Sequence, residues 1–279
     1  MSKKLNLIAS LILVLHSTFT HAETASILTF DPMENQQNSL PRNFRDLKSL
    51  GINAIASAQF SEDQLQEVRK KYPKEKITIV DLRAESHGFI DGKPVTWHTS
   101  FEKGNQDKTS AKIAAEESKR LALAAKDQEI VVNKVIKKDR ANGWYEEVSP
   151  NIVKVTNATS EKDLAEKNGF KYQRFPIRDF DIPNDKEFKK MVNFIKTLPE
   201  DEKIYVHCAG GKGRTGTFLI LLDIAKNGKE TKLEDIFKRQ HALGAAKLDE
   251  ISKEESWSKE IAQERLKMIE NFYETETKK

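Results

Sequence analysis

The chain has 279 residues, enough for one large domain or two small ones, and 32% of them are charged. The formal net charge is only +4 and the charges are spread evenly, which favours a soluble globular protein and excludes bulk electrostatic attraction to nucleic acid. Cys208 is the single cysteine, so the chain has no internal disulfide bond.

Residues 1 to 22 have the pattern of a secretory signal peptide. Two lysines precede an apolar run from Leu5 to Leu15, and the small residue Ala22 precedes the expected cleavage site. We expect export to the periplasm or the medium and a mature chain of net charge +2, because the leader contains two of the 47 basic residues and no acidic ones. An uncleaved membrane anchor is the alternative, and no later segment is apolar enough to cross a membrane.

The first part of the mature chain alternates strands and helices. Residues 23–40 lack periodicity and predict an extended lead-in, and residues 52–56 predict a first strand. Ser61 is expected to cap a helix that ends near Lys71. The β-branched run over residues 76–82 predicts a buried parallel strand. This strand, helix, strand order is typical of an α/β fold.

The pattern changes between residues 84 and 155, where we expect a small β-rich insertion packed on the α/β frame. Asp91-Gly92 lies between apolar alternations and predicts a hairpin. The predicted elements of this insertion are the hairpin at 87–98, a helix at 109–126, and strands at 129–135 and 151–155 that flank a loop at 137–149.

The α/β pattern then resumes and continues to the end of the chain. Predicted helices span 160–168, 185–197, 214–226, 233–242 and 255–274, and predicted strands span 171–176, in an edge position, and 204–207. The fold class is therefore α/β, with a mainly parallel central sheet flanked by helices and a small β insertion.

One stretch, Ile204 to Phe218 with the sequence IYVHCAGGKGRTGTF, predicts a strand, a tight loop and a helix start. Backbone N–H groups of such a loop point inward at a helix N-terminus and form an anion site. The loop residues expected to bind phosphate in this way are Ala209, Gly210, Gly211, Lys212 and Gly213. A Cys208 thiolate beside an Arg214 guanidinium that grips two phosphate oxygens suits phosphoryl transfer through a phosphocysteine.

Three further side chains are candidates for supporting roles. Thr215 is expected to donate a hydrogen bond to the sulfur, and His207 is expected to fix the loop by bonding to backbone rather than to carry protons. The leaving oxygen needs a proton, which a carboxylic acid on a mobile loop can supply. Residues 178–185 offer Asp179 and Asp181 for this role.

The segment HCAGGKGRTG fits the Cys-x5-Arg phosphate loop of the protein tyrosine phosphatase superfamily. Within it, the chain resembles the bacterial tyrosine-phosphatase-like inositol phosphatases, the cysteine phytases, from about Leu40 to Tyr273. The other matching segments are DLRAESHGFIDGKPVTW (81–97), DIFKRQHALGA (235–245) and ESWSKEIAQERLKMIENFY (255–273). The resemblance implies a phosphatase fold, and it implies that the insertion is a partial β-barrel.

The resemblance also assigns roles by position. It places the nucleophile at Cys208, the phosphate-binding arginine at Arg214 and the general acid at Asp179, with Asp181 as runner-up. It implies that substrate contacts are made by Arg45, Glu85, Glu102 and Arg265. The chain departs from the family at Phe180, where a histidine is frequent, and on the terminal helix, where Ser258, Ala262 and Arg265 stand for lysine, tyrosine and lysine.

The expected function is hydrolysis of phosphomonoesters of inositol polyphosphates, without a metal or any other cofactor. The expected partner is a small polyanionic phosphate ester, with no nucleic acid and no membrane, and the oligomeric state stays open. A phosphatase acting on phosphotyrosine or phosphoinositides is the alternative within the superfamily, and Lys212 in the loop resembles the phosphoinositide enzymes. A protein that binds phosphoryl ligands without turnover is the alternative from another class.

Overall fold

The structure is a computed structural model that describes residues 26–33, 39–139, 143–251 and 257–278. The predicted signal peptide, residues 1–22, lies outside the described residues. No helix in the described ranges has both the length and the apolar character that a membrane crossing requires.

The described residues form strands, α-helices and two short 3-10 helices, Lys48–Leu50 and Ser100–Asn105. The strands are β1 (Ser26–Phe30), β2 (Arg45–Asp46), β3 (Ala54–Ser57), β4 (Lys76–Arg83), β5 (Ser86–Ile90), β6 (Lys93–Thr99), β7 (Glu129–Asp139), β8 (Trp144–Lys154), β9 (Ala158–Thr159), β10 (Lys171–Ile177) and β11 (Glu202–His207). The helices are α1 (Glu62–Lys71), α2 (Ser110–Asp127), α3 (Glu161–Lys167), α4 (Asp185–Thr197), α5 (Gly213–Asn227), α6 (Leu233–Ala242) and α7 (Lys259–Thr277).

A central sheet has the strand order β10-β4-β11-β3-β2. Its strands are parallel except for β2, which pairs antiparallel with β3, and β10 lies at one edge as predicted. The α/β class and the mainly parallel sheet are therefore confirmed. Because β11 lies between two parallel neighbours, the loop that follows it emerges at the carboxyl edge of the sheet, where ligands bind in open α/β folds.

Alternate residues of the sheet strands face two different helical layers. Ile77 and Ile79 of β4 pack with α1 and α3, whereas Val80 and Leu82 pack with the layer that contains α4 to α7. Helix α5 lies inside that layer, and all its residues from Arg214 to Ile224 are buried. A helix enclosed on every side fixes the loop at its N-terminus more firmly than a surface helix would.

The second sheet has the order β8-β7-β1-β6-β5-β9 and does not close among the described strands, since β8 and β9 lie at its two edges. Helix α2 covers it with Leu121 and Ala124 against Val95 and Trp97. The lead-in before residue 40 was predicted to be extended, and β1 is extended; its pairing with β6 along its whole length was not predicted. The boundaries 84–155 of the insertion stay a prediction, because β1 and β9 join its sheet from outside that range.

The predicted loop at residues 137–149 is wrong. Strand β7 continues to Asp139 and β8 begins at Trp144, so the two strands form one long hairpin. Lysines and glutamates occupy most of the exposed positions there, and they hide the alternation of apolar residues that predicts a strand. The register also shifts at Val135 and Lys137, which breaks the period of two.

Candidate active site

Cys208 follows β11 directly and is 3% exposed. The N–H of Gly211 donates to the Cys208 sulfur over 3.2 Å. Gly211 has φ +69, and a Cβ at this position would lie 2.4 Å from the carbonyl carbon of Ser57. Only glycine fits there, so Gly211 allows the loop to lie against β3 and to direct its N–H group at the sulfur.

Two residues outside the loop hold its carbonyl groups. The amide of Asn43 donates to the carbonyl of Gly210 over 2.8 Å, and the N–H of Gln59 donates to the carbonyl of Ala209 over 3.2 Å. Asn43 has φ 58, a conformation that asparagine tolerates better than most residues. Sequence reasoning missed both residues, although Asn43 lies only two positions before Arg45, which the resemblance singles out. With the carbonyl groups held outward, loop N–H groups remain available for an anion.

The guanidinium of Arg214 is fixed by a bidentate pair with Glu85. Nη1 donates to Oε2 over 2.7 Å and Nη2 donates to Oε1 over 2.9 Å, while Nη1 also donates to the carbonyl of Ile177 over 2.9 Å. Burial alone would lower the pKa of Arg214, but Glu85, Asp179 and Cys208 hold it well above its usual value. The arginine is therefore charged and oriented before any substrate arrives.

Glu85, predicted to contact substrate, is 5% exposed and accepts from two arginines. Besides Arg214, the Nε of Arg83 donates to its Oε1 over 2.9 Å. Burial alone would raise the pKa of Glu85, but Arg214 and Arg83 hold it well below its usual range. Glu85 in this structure acts on Arg214, and a direct contact between Glu85 and substrate stays a prediction.

Arg45 differs from Arg214 in its partners. It is 6% exposed, and only its Nη1 has an acceptor, the carbonyl of Asn43 at 3.2 Å. Its Nε and Nη2 are buried without a hydrogen-bond partner among the described residues. Burial lowers the pKa of Arg45 to about 10, and the charge of Cys208 partly opposes this shift. An arginine close enough to interact with the nucleophile therefore has free donors, as a substrate phosphate would need.

The two candidate acids lie on the loop between β10 and α4, and their contacts differ. An oxygen of Asp179 lies 3.1 Å from Nη2 of Arg214, and its side chain is 40% exposed. Asp181 accepts from Nε of Arg178 over 2.8 Å and from the N–H of Ile182 over 2.9 Å. Asp179 therefore faces the phosphate loop, whereas Asp181 is used to fold its own loop.

The Thr215 hydroxyl is buried without a partner in the described part of the chain, and its hydrogen bond to the departing sulfur during hydrolysis stays a prediction. The contacts of His207 differ from the prediction. His207 was expected to bond to backbone, but its Nε2 pairs with Oε1 of Glu161 over 2.7 Å, and its Nδ1 has no partner among the described residues. Glu161 was missed because it lies far from the loop in sequence.

Behind His207 lies a buried charged cluster. His87 directs Nε2 toward Asp81 and Glu161, at 3.4 and 3.3 Å, and its Nδ1 lies 2.8 Å from the carbonyl of Glu85. Burial alone would lower the pKa of His87, but Asp81 raises it to about 10. Burial alone would raise the pKa of Glu161, but His207 and His87 lower it to about 2. This cluster connects the second sheet to the residue before the nucleophile.

Asp81, His87 and Glu161 also offer potential metal-ligand atoms within 4.8 Å of one another. In the structure the imidazole of His87 lies between the two carboxylates, Asp81 raises its pKa to about 10, and Arg174 lies 3.0 Å from Asp81. A metal ion at this place would therefore compete with protonation of His87. The expected independence from metals and other cofactors stays a prediction.

The outer candidates lie at the rim of the site. Lys212 is exposed, and its ammonium forms no ion pair within the described ranges. Glu102 lies 2.6 Å from Nδ1 of His98, and Arg265 on α7 donates to the carbonyls of Phe180 and Asp181 over 2.5 and 3.3 Å. Arg265 thus holds the loop that contains Asp179, a contact that its predicted role in substrate binding did not include.

A family model for protein tyrosine phosphatase-like phytases, described as inositol hexakisphosphate, matches residues 80–226. The match covers more than half of the chain. The chain belongs to this family. The predicted family is thereby confirmed, and the matched range contains Cys208, Arg214 and Asp179.

One curated relative matches most of the length of this chain. The effector protein hopD2 of Pseudomonas syringae pv. tomato is 26% identical over 233 residues, which are 82% of this chain and 48% of hopD2. The chain thus spans about half the length of that curated relative.

Two solved structures have the same fold. The PTP-like myo-inositol phosphatase of Mitsuokella multacida, in complex with myo-inositol-(1,3,4,5)-tetrakisphosphate, is 29% identical with a TM-score of 0.79, and the match covers 90% of this chain and 45% of that one. A PTP-like phytase of Bdellovibrio bacteriovorus is 28% identical with a TM-score of 0.73, and the match covers 91% and 90% of the two chains. The fold around the site is therefore that of PTP-like phytases.

Proposed function

We propose that the protein hydrolyses phosphomonoesters of inositol polyphosphates through a phosphocysteine intermediate. The observation that carries this proposal is the pairing at Arg214, whose guanidinium is bound by Glu85 and lies 3.1 Å from the carboxylate of Asp179. An acid is thereby held beside the arginine that binds the transferring phosphate, next to a buried Cys208. Nucleophile, charge stabilisation and proton donor are then present together.

The reaction has two steps. The Cys208 thiolate attacks phosphorus, the bond to the ester oxygen breaks, and Asp179 gives its proton to that oxygen, so that the alcohol leaves neutral. Asp179, now a carboxylate, accepts a proton from water as the water oxygen attacks the phosphocysteine. The S–P bond breaks, the thiolate is regenerated, and inorganic phosphate leaves. Arg214 and the loop N–H groups bind the phosphoryl oxygens in both steps.

The polyanionic substrate class rests on the cations around the loop and on family membership. Arg45 has buried donors without partners, and exposed Lys212 lies in the loop itself. The Mitsuokella relative has been solved with an inositol tetrakisphosphate, which has several phosphate groups on one ring. Arg45 and Lys212 are suited to phosphates next to the one being transferred.

The deciding experiment compares phosphate release from phytate and from a phosphotyrosine peptide. We expect the purified protein to act far faster on phytate, and we expect Cys208→Ser to lose turnover while it still binds phytate. Faster release from the peptide would replace the proposed substrate class with phosphotyrosine. Turnover by Cys208→Ser would exclude the phosphocysteine route, and a wild-type protein that binds phytate without phosphate release would be a binding protein.

The choice between the two acids is tested in the same assay. Asp179→Asn should lower kcat on phytate by about 100-fold or more, because general acid catalysis contributes roughly that much. Asp181→Asn is the matched control on the same loop and should lose less, through weaker folding of the loop. If only Asp181→Asn loses activity, the acid is Asp181.

We also propose that residues 1–22 direct export. The apolar run and the small residue at the expected cleavage site support this proposal. Mass spectrometry of the protein from the periplasm or medium tests it, and we expect a chain that begins near Glu23. Recovery of the intact N-terminus in the cytoplasm would overturn it.

A further inference from the structure

Three aromatic side chains from distant parts of the chain meet beside the loop that contains Asp179. The ring of Trp257 contacts Phe180 on one side, with centroids 5.5 Å apart and planes at 81°, and Phe101 on the other, at 5.6 Å and 87°. Both are edge-to-face arrangements, which aromatic rings favour. Phe101 lies between β6 and α2, Phe180 follows Asp179, and Trp257 lies just before α7.

Both phenylalanines have unusual backbone conformations. Phe101 has φ 51 and Phe180 has φ 64, and Glu102, next to Phe101, has φ 53. Bulky residues rarely adopt positive φ, and such a conformation persists only where the surrounding contacts hold it. Trp257 contacts both strained phenylalanines. Packing against the Trp257 indole therefore helps to hold both strained backbone conformations.

Polar contacts fix the same two segments. The N–H of Phe101 donates to the carbonyl of Gly143 over 2.9 Å, and a Cβ on Gly143 would lie 2.4 Å from the Phe101 ring. Nη1 of Arg178 donates to the carbonyl of Phe101 over 3.4 Å, and Arg265 donates to that of Phe180. The side chain of Arg178 and the carbonyl of Phe180, on either side of Asp179, are thus tied to the insertion and to α7.

We infer that Trp257 is a positioning residue for the general acid, since it holds Phe180 and Phe101 together and thereby keeps the Asp179 carboxylate at Arg214. The inference rests on the proposed function. Phe180 is 57% exposed and Trp257 is 41% exposed, so this contact is not part of the hydrophobic core. Loss of the indole should therefore affect the acid loop much more than the stability of the fold.

The test compares leaving groups that differ in how strongly their departure depends on protonation by the general acid. Phenyl phosphate and p-nitrophenyl phosphate have similar shapes, but p-nitrophenolate leaves without protonation, whereas phenolate and the inositol alkoxide need the acid. Trp257→Ala should lower kcat on phenyl phosphate and on phytate by about 10- to 100-fold, part of the factor that a general acid supplies. In the same variant, kcat on p-nitrophenyl phosphate should fall by less than about threefold.

Two variants serve as controls. Trp257→Phe keeps a ring at this position and should recover most of the activity on phenyl phosphate. Phe188→Leu removes a different aromatic contact of α7, that between Phe188 and Phe272, whose ring centroids lie 6.2 Å apart. This variant should lower kcat on all three substrates by the same small factor. Thermal unfolding of Trp257→Ala reports whether the fold is intact.

The outcomes separate this inference from the proposed function. Equal losses of Trp257→Ala on phenyl and p-nitrophenyl phosphate, or no loss on either, would overturn the positioning role. The two aryl substrates give this answer whatever the natural substrate is. A wild-type protein that hydrolyses aryl phosphates but not phytate would instead contradict the proposed substrate class and leave the comparison of leaving groups valid.

Discussion

Arg214 and Arg45 are both buried beside the phosphate loop, but Arg214 has two carboxylate partners and Arg45 has none among the described residues. Arg214 has a bidentate carboxylate and a backbone carbonyl. Arg45 has one carbonyl, and two of its buried nitrogens have no partner in the described part of the chain. Arg214 lacks a partner only at Nε in the described part of the chain, whereas Arg45 lacks one at both Nε and Nη2. We call the surroundings of Arg214 the paired region and those of Arg45 the unpaired region, where substrate supplies most of the missing partners.

The difference follows from what each region has to do. Charge stabilisation in the transition state is most effective when the donors are already oriented, because no reorganisation is then needed during the reaction. Binding energy, in contrast, comes from donors that are poorly satisfied until the ligand arrives. A buried donor without a partner costs about 1–3 kcal/mol, and a bound phosphate recovers this cost. The free energy that the unpartnered donors of Arg45 cost the folded protein is therefore recovered as binding free energy when substrate binds.

The largest expected effect comes from breaking the paired region at Glu85. Glu85→Gln keeps the volume but removes the charge and one of the two oxygens that orient Arg214. We expect kcat on phytate to fall by about 100-fold, the size of effect that a misplacement of roughly 1 Å causes. Steady-state kinetics on phytate measures this loss.

The matched control is Glu117→Gln. Glu117 also binds a buried arginine, with both of its oxygens 2.9 and 2.8 Å from Nη1 of Arg174, but it does not contact Arg214. Both variants should be destabilised, and only Glu85→Gln should lose kcat by the full factor. Equal kcat values for the two variants would show that orientation of Arg214 by Glu85 is not required.

The next effect comes from the unpaired region. Arg45→Met removes the free donors and keeps the length of the side chain. We expect KM for phytate to rise by about 10- to 100-fold, because hydrogen bonds to charged groups contribute about 1.5–3 kcal/mol, and kcat to change little. The melting temperature should stay level or rise, since unpartnered buried donors are removed. A fall in kcat with an unchanged KM would place Arg45 in the paired region instead.

The sequence was sufficient to predict those parts of the site that are formed by residues close together in the chain. The glycines of the loop, the apolar strand before it and the apolar helix after it are contiguous, so a strand, an anion-binding loop and a helix follow from a short stretch. Ser61 caps α1 with a reciprocal bond to Gln64, and α1 begins and ends where its pattern predicts. Most helices and the central strands are determined by such short-range patterns.

Contacts between distant residues could not be predicted in this way. His207 and Glu161 are 46 positions apart, and Arg214 and Glu85 are 129 apart. The sequence does not distinguish a charged residue at the surface from one in a buried ion pair. The resemblance to the family therefore pointed to Glu85 but not to its contact with Arg214. The position of β1 in the second sheet likewise depends on its pairing with β6, which its own five residues do not indicate.

The smallest expected effect tests whether the paired region extends to His87. The pKa of His87 is raised to about 10 in the folded protein, above the value of about 6.5 expected for the unfolded chain. The stabilisation from its charge is therefore complete below about pH 6.5, decreases above it, and is lost as the pH rises through about 10. His87→Gln lacks this contribution at every pH.

Urea unfolding of the wild type and of His87→Gln between pH 6 and pH 10 measures the contribution directly. The charged groups that face His87, namely Asp81, Glu117, Glu161 and Arg174, are present in both proteins, so the difference between the two unfolding free energies isolates the imidazole. We expect that difference to be largest at pH 6 and to shrink toward pH 10. A constant difference would mean that folding does not shift the pKa of His87, and a difference that rises with pH would mean that His87 is neutral in the folded protein. In either case the fully paired region would end at Glu85 and Arg83.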